Sequence, residues 1–196
     1  MPTHMPDDRP IRAPADMKPA DMPSADVPPS DIKPDNAPGI DILVESPLWD
    51  AFPAAETTIR TAIAACVAQL SVSTDGAEVA IMLCDDSGIR SLNRDWRGLD
   101  KPTNVLSFPA APPPHLEPGA PRLLGDIAIA FETLEREAKD EGKPFAHHLS
   151  HLAAHGFLHL LGFDHENDAD AERMEQLETR ILATLNIPDP YAESDA

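Results

Sequence analysis

The sequence is poor in cysteine, aromatic residues and glycine. Its 196 residues include two cysteines, nine glycines, two tryptophans and one tyrosine. Two cysteines cannot form a disulfide framework or a four-cysteine metal site, and Cys66 and Cys84 both lie in apolar stretches typical of buried thiols. No glycine-rich phosphate loop follows a predicted strand, which excludes the P-loop and Rossmann nucleotide-binding folds.

Long apolar segments are also missing. The longest uninterrupted apolar runs are far shorter than a membrane span, so we expect neither an integral membrane protein nor a membrane partner. The start of the chain is acidic and has no apolar segment of the kind found in signal peptides. It does not resemble a transit peptide either, and we therefore predict a cytoplasmic location.

Basic residues are outnumbered. The chain has 15 basic and 34 acidic residues and a net charge of −19. This balance excludes a protein that coats nucleic acid electrostatically, because most of the surface would repel phosphate. DNA is not expected as a partner, and any nucleic-acid role must depend on a local basic patch.

Proline is abundant and unevenly distributed. Ten of the 22 prolines lie in residues 1–39, where a five-residue theme repeats as ADMKP, ADMPS, ADVPP and SDIKP. Proline at this density permits neither a helix nor a sheet ladder, and there is little apolar surface to offset the entropy of ordering. We predict a disordered tail over 1–39, an ordered domain over 40–190 and a disordered C-terminus over 191–196.

The apolar pattern predicts four strands and five helices within the domain. Predicted strands cover 40–44, 77–84, 104–108 and 123–130, and predicted helices cover about 86–96, as well as 56–70, 132–140, 145–161 and 168–185. Residues 109–121, with six prolines, predict a loop. Because the helices cluster late in the chain, we predict a single α+β domain with a small four-stranded sheet packed against about five helices.

Six of the eight histidines lie between residues 147 and 165. His155 and His159 are four residues apart, which places both rings on one helix face about 6 Å apart along the axis. Gly162 can end the helix in a left-handed turn and so return His165 to the same ion. Three neutral imidazoles suit one zinc ion and leave a fourth position for water, which is typical of a catalytic site.

The spacing HxxxHxxGxxH also occurs in zinc peptidases, but with an important difference. Those enzymes have a glutamate general base after the first histidine, where this chain has Gly156. Met174 is predicted to lie in the core of the last helix and not in a methionine turn. Asp164 is a conceivable proton carrier, although a helix-entry cap or an imidazole orienter fits it better.

Other histidines near the cluster have less specific interpretations. His151, one turn before His155, is either a residue that orients a ligand or an ordinary packed or solvated histidine. His147 and His148 are predicted to lie on the surface. The alternative for the whole set is that these histidines are merely core and surface residues of a helix.

A second group of residues is locally basic. Arg90, Arg94 and Arg97 follow one helix face, and residues 87–101 hold four basic and two acidic residues. An arginine here could grip a phosphate with both arms of its guanidinium group. A solvated helix face paired with Asp95 and Asp100 is an equally good interpretation of the spacing.

Three motifs together resemble the YbeY family of bacterial endoribonucleases. They are HGFLHLLGFDH over 155–165, LNRDWRGLDKPTNVLSFP over 92–109 and LLGDIAIA over 123–130. The resemblance covers about residues 40–185 and includes the glycine at position 156. Phe163 stands where the family usually has tyrosine, and the tail lies outside the resemblance.

The resemblance implies a cytoplasmic metallo-endoribonuclease specific for single-stranded RNA. Its implied tasks are 3′-end maturation of small-subunit ribosomal RNA and late ribosome quality control, with the small subunit or its proteins as partners. It implies zinc ligands at His155, His159 and His165 and an essential arginine at Arg97. Two alternatives are a non-catalytic ribosome-assembly factor with a zinc site and, more distantly, a zinc metallopeptidase.

Overall fold

The computed structural model describes residues 37–111, 120–165 and 167–192. The predicted tail up to residue 36, most of the predicted loop over 109–121 and residues 193–196 lie outside the described residues. Among the described residues, no helix is both long and apolar enough to cross a membrane.

The described chain forms four strands and five α-helices, which confirms the predicted α+β class. The strands are β1 (Gly39–Val44), β2 (Ala77–Cys84), β3 (Val105–Pro109) and β4 (Arg122–Ala130), and the helices are α1 (Ala55–Leu70), α2 (Asp86–Arg97), α3 (Phe131–Asp140), α4 (Phe145–Leu160) and α5 (Asp168–Thr184). Most boundaries lie within two residues of those predicted from the sequence.

The sheet has the order β1-β2-β4-β3. Strands β1, β2 and β4 are parallel, whereas β3 is antiparallel to β4 and forms one edge of the sheet. Residues of β2 alternate between buried and exposed over most of its length, because successive side chains point to opposite faces. Strands β3 and β4 both pack against α4, the helix that carries two of the predicted ligands.

The helices cover the two faces of the sheet unequally. On one face, α1, α4 and α5 pack together and enclose a core that includes Ile81, Ile127 and Phe157. On the other face, α2 covers a smaller cluster that includes Ile89, Leu106 and Ala128. The edge strand β3 contacts both α2 and α4. Its neighbouring side chains point to opposite faces of the sheet, so one face packs against each helix.

Helix α2 has a defined start and end. The Asp85 side chain accepts a hydrogen bond from the Gly88 N–H (2.8 Å), and Gly98 ends the helix. At its first turn, Asp86 accepts from the N–H and hydroxyl of Thr133, while Glu132 accepts from the Asp86 N–H. These reciprocal caps join the N-termini of α2 and α3.

The sequence analysis missed a short 3-10 helix, Pro47–Ala51, between β1 and α1. Trp49 in this helix is only 3% exposed, and its indole N–H donates to the Cys84 carbonyl (3.0 Å). The predictions of a buried Cys66, a buried Cys84 and a core position for Met174 are confirmed. Short 3-10 segments have no long apolar period, which explains why this one gave no signal.

Candidate metal centre

Helix α4 places two of the predicted ligands side by side. The Nε2 atoms of His155 and His159 are 3.1 Å apart, and the ring centroids are 4.6 Å apart. Both rings are partly exposed, while most neighbouring positions of α4 are buried in the core. The helix therefore presents two imidazoles together at its solvent-facing edge.

The turn after α4 brings the third histidine to the same place. Gly162 adopts a φ of +89°, a left-handed conformation that other residues rarely adopt, and its N–H donates to the His159 carbonyl. The His165 ring centroid lies 5.0 Å from that of His159 and 5.8 Å from that of His155. One nitrogen from each of the three rings lies within 4.8 Å of the other two.

The donor atoms of this cluster fit a divalent metal ion. His155 Nδ1 donates to a buried carboxylate, so in the neutral ring the lone pair of Nε2 faces His159. Burial of the ring and electrostatic repulsion from His155 and His165 lower the pKa of His159 to about 4. The His159 ring is therefore neutral near pH 7. Together with the exposed His165 imidazole, these two nitrogens form a donor set that can hold a metal ion.

The carboxylate behind His155 belongs to Glu178 of α5, which is fully buried. Its Oε1 accepts from His155 Nδ1 (2.8 Å), and its Oε2 lies 2.9 Å from His151 Nε2. Burial raises the pKa of Glu178, but the hydrogen bonds from His151 and His155 outweigh this effect and lower it to about 2. Glu178 is therefore a buried anion that fixes two histidine rings.

Tyr191 completes this network from beyond α5. Its hydroxyl donates to Glu178 Oε2 and lies 3.3 Å from His151 Nε2. Burial and the Glu178 carboxylate raise the pKa of Tyr191, so the hydroxyl keeps its proton and acts as a donor. Tyr191 belongs to the segment that the sequence analysis assigned to a disordered C-terminus, yet it packs against the site.

Sequence reasoning missed Glu178 and Tyr191 as parts of the site. One signal was present for Glu178, because it follows Met174 by four residues and precedes Ile181 by three, which places it on the apolar face of α5. A glutamate on such a face needs a buried partner. Tyr191 offered no comparable signal.

The histidines before the cluster agree only in part with their predicted roles. His151 contacts Glu178, in agreement with an orienting role in the network. His148 was wrongly predicted to lie on the surface: it is only 5% exposed, and its Nε2 lies 2.9 Å from Glu137 of α3. The reason is that α4 packs against α3 near this residue. His147 is partly buried.

Gly156 lies where α4 meets the edge strand β3. A Cβ atom at this position would lie 3.1 Å from Ser107 Oγ and 3.1 Å from Ile127 Cγ2. The space next to His155 is therefore filled by the sheet, and a glutamate side chain cannot occupy it without displacing its neighbours. This packing explains why the position is glycine and weighs against a peptidase-type general base.

The three arginines of α2 are not equivalent. Arg90 pairs with Asp100 (2.7 Å) and Arg94 pairs with Asp95 (2.9 Å), as expected for a solvated helix face. Within the described part of the chain, Arg97 makes no ion pair, and no hydrogen bond connects it to the three histidines. Arg97 is exposed in the last turn of α2.

Asp164 has a local role. Its Oδ1 accepts from the backbone N–H of His165 (2.7 Å), which stabilises the turn that carries this histidine. The predicted helix-entry cap is instead Asn167, whose side chain accepts from the Asp170 N–H (3.0 Å). Asp164 is therefore one turn too early in the chain to cap α5.

Residues 50–186 match the sequence profile of the family described as Endoribonuclease YbeY. A relative with this name from Rhodopseudomonas palustris (strain BisA53) is 60% identical over 159 residues, covering 81% of this chain and 92% of the relative. Another, from Bradyrhizobium diazoefficiens, is 60% identical over 160 residues and covers 81% and 87%. A third, from Nitrobacter winogradskyi, is 62% identical over 157 residues and covers 79% and 83%.

Proposed function

The chain belongs to the endoribonuclease YbeY family and is an endoribonuclease, and we propose that it is a zinc-dependent enzyme specific for single-stranded RNA. We further propose that it acts in the cytoplasm on the 3′ end of small-subunit ribosomal RNA and in late ribosome quality control. Ribosomal RNA and the small subunit or its proteins are the proposed partners. The motif resemblance supports these details, and the geometry of the histidine cluster supports the metal dependence alone.

The observation that carries the proposal is the donation from His155 Nδ1 to buried Glu178. Such a hydrogen bond favours the ring tautomer whose Nε2 is available beside His159, where we propose that it binds the metal. His165 supplies the third nitrogen from the turn after α4. The exposure of His165 leaves one side of the cluster open, as a catalytic site requires and a closed structural zinc site does not.

The residues of the chain would divide the work as follows. His155, His159 and His165 would hold one zinc ion, which supplies Lewis-acid chemistry at a water molecule or a phosphoryl oxygen. Arg97 would hold the phosphate and stabilise the charge that develops during cleavage. Because Gly156 provides no acid or base and Asp164 bonds to the backbone, proton transfer is assigned to neither residue.

The acidic surface bears on how RNA reaches the site. With a net charge of −19, most of the body repels RNA. Arg97, which has no ion-pair partner among the described residues, and Lys101 are local exceptions. A ribosomal partner that presents the RNA would overcome this repulsion, which is consistent with the proposed place of action.

The test is cleavage of matched single-stranded and duplex RNAs by the zinc-loaded full chain. His155→Ala and Arg97→Glu proteins are purified identically, and metal content is measured by mass spectrometry. We expect cleavage of single-stranded RNA only, loss of metal and activity in His155→Ala, and loss of activity with metal retained in Arg97→Glu. His147→Ala and Arg94→Glu serve as controls on the same two helices.

Other outcomes would contradict parts of the proposal. Equal cleavage by all proteins would indicate a contaminating nuclease and favour the assembly-factor alternative. Loss of metal in Arg97→Glu would contradict the phosphate role of this residue. Hydrolysis of casein, absent in His155→Ala, would favour the peptidase alternative.

A further inference from the structure

Trp96 is the most exposed aromatic side chain among the described residues. It lies in the last turn of α2 and is 64% exposed, whereas the other tryptophan, Trp49, is buried. An indole that remains exposed to water contributes less hydrophobic stabilisation to the fold than a buried one. Tyr191 is also partly exposed, but its hydroxyl is engaged by Glu178.

The Trp96 ring is supported from one side. Its centroid lies 5.8 Å from that of Phe108 on the edge strand β3, with the ring planes inclined at 57°. Phe108 in turn packs against the small core cluster beneath α2. The indole is therefore held against the protein surface while much of its area remains available to a ligand.

Two contacts of β3 relate this ring to the histidine cluster. Phe108 meets Trp96 on the α2 side of the strand, and Ser107, its chain neighbour, packs against Gly156 on the α4 side. Gly156 directly follows His155. Trp96 and the cluster thus flank the same short stretch of edge strand, and Arg97 follows Trp96 at the end of α2.

The chemistry of this surface favours an unpaired nucleobase as its ligand. An acidic protein gains little from long-range attraction to RNA, so affinity must come from short-range contacts. Stacking of a base on an aromatic ring is such a contact, and it tolerates any base because every base has a π-face. Bases inside a duplex are already stacked on one another and cannot use it.

We propose that Trp96 is a stacking platform for one unpaired base of the RNA, next to the phosphate that Arg97 holds. The inference rests on the proposed function, because it assumes that single-stranded RNA crosses the edge strand β3 towards the histidines. Stacking on the Trp96 indole would then account for part of the preference for single-stranded RNA. Trp96 would bind substrate without taking part in bond cleavage.

The test is binding of a fluorescein-labelled 2′-O-methyl RNA to the zinc-loaded full chain, measured by fluorescence anisotropy. A gel after each titration verifies that the oligonucleotide is intact. We expect Trp96→Ala to weaken binding about 5- to 150-fold and Trp96→Phe to stay within about 3-fold of the wild type. Leu123→Ala, at an apolar residue that is 63% exposed, is the matched control and should bind normally.

A second oligonucleotide series, with abasic sites placed one at a time, separates stacking from any structural effect. At one position, an abasic site should weaken binding to the wild type as much as the Trp96→Ala substitution does. The same abasic site should not weaken binding to the Trp96→Ala protein any further. Equal binding by Trp96→Ala and wild type, while the wild type still cleaves RNA, would overturn the inference and leave the proposed function intact. A wild-type protein that neither binds nor cleaves RNA would overturn both.

Discussion

His155 Nδ1 lies 2.8 Å from Oε1 of Glu178, so a fully buried carboxylate orients a ring of the candidate metal centre. Glu178 lies on α5, whereas His155 lies on α4. The relationship therefore depends on how these two helices pack. It also means that a change in the core of α5 should be measurable as a change in metal affinity.

Replacing Glu178 with glutamine tests this relationship. The Glu178→Gln amide has one acceptor oxygen in place of two, and it places an NH2 group against donors from His151 or Tyr191. Removing such an orienting carboxylate typically costs about 10- to 100-fold in metal affinity. We expect a loss of that size in competition with a zinc chelator. Glu175→Gln, at an exposed position of the same helix, should leave affinity unchanged.

Gly156→Glu should destabilise the fold and should not create a peptidase. The new side chain would enter space occupied by Ser107 Oγ and Ile127, and overpacking of this kind costs about 1–3 kcal/mol before the burial of a charge is included. Urea denaturation of the two proteins measures the difference. Gly156→Ala is the control for size, and a Gly156→Glu protein of wild-type stability would contradict the packing argument.

Both cysteines should be unreactive in the native protein. Burial, together with the charge of Asp85, raises the pKa of Cys84 to about 12, and burial also raises the pKa of Cys66. A raised pKa keeps the thiol protonated, so little reactive thiolate is present at pH 8. Alkylation by iodoacetamide at pH 8 should be slow and should become fast in urea. Rapid labelling without urea would show that these residues are accessible.

RNA affinity should depend only weakly on salt. The protein is acidic overall, so we expect few of its cations to contact the RNA. For single-stranded RNA, each phosphate contact contributes about −0.7 to the slope of log affinity against log salt concentration. We expect a slope of about −2 or shallower for the wild type, measured between 50 and 200 mM salt. Arg97→Glu should make it shallower by about 0.7 or more. A slope near −5 would require a basic surface that the described residues do not show.

The sequence was most informative where structure is local. The spacing of His155 and His159, the left-handed turn at Gly162 and the core position of Met174 depend on helix geometry over a few residues, and the structure has each as predicted. The same local periodicity produced the correct fold class. The motif resemblance to the family agrees with the comparisons over most of the chain.

Features that depend on packing between distant elements could not be predicted in this way. Glu178 reaches His155 only because α5 packs against α4, and His148 is buried only because α3 covers it. The pairing of Arg90 and Arg94 with Asp100 and Asp95 was one of two equally good interpretations, because spacing alone does not determine side-chain conformations. The assignments of His155, His159 and His165 as ligands and of Arg97 to phosphate stay predictions for the experiments above.

The three donors that meet at Glu178 also limit how this part of the sequence can diverge. Replacing Tyr191 leaves the carboxylate with its two histidine partners, a loss that the site could survive. Replacing Glu178 removes the acceptor shared by all three donors at once, in a buried environment. Natural selection should therefore tolerate substitutions at Tyr191 more readily than at Glu178, whose replacement would require simultaneous changes on two other segments of the chain.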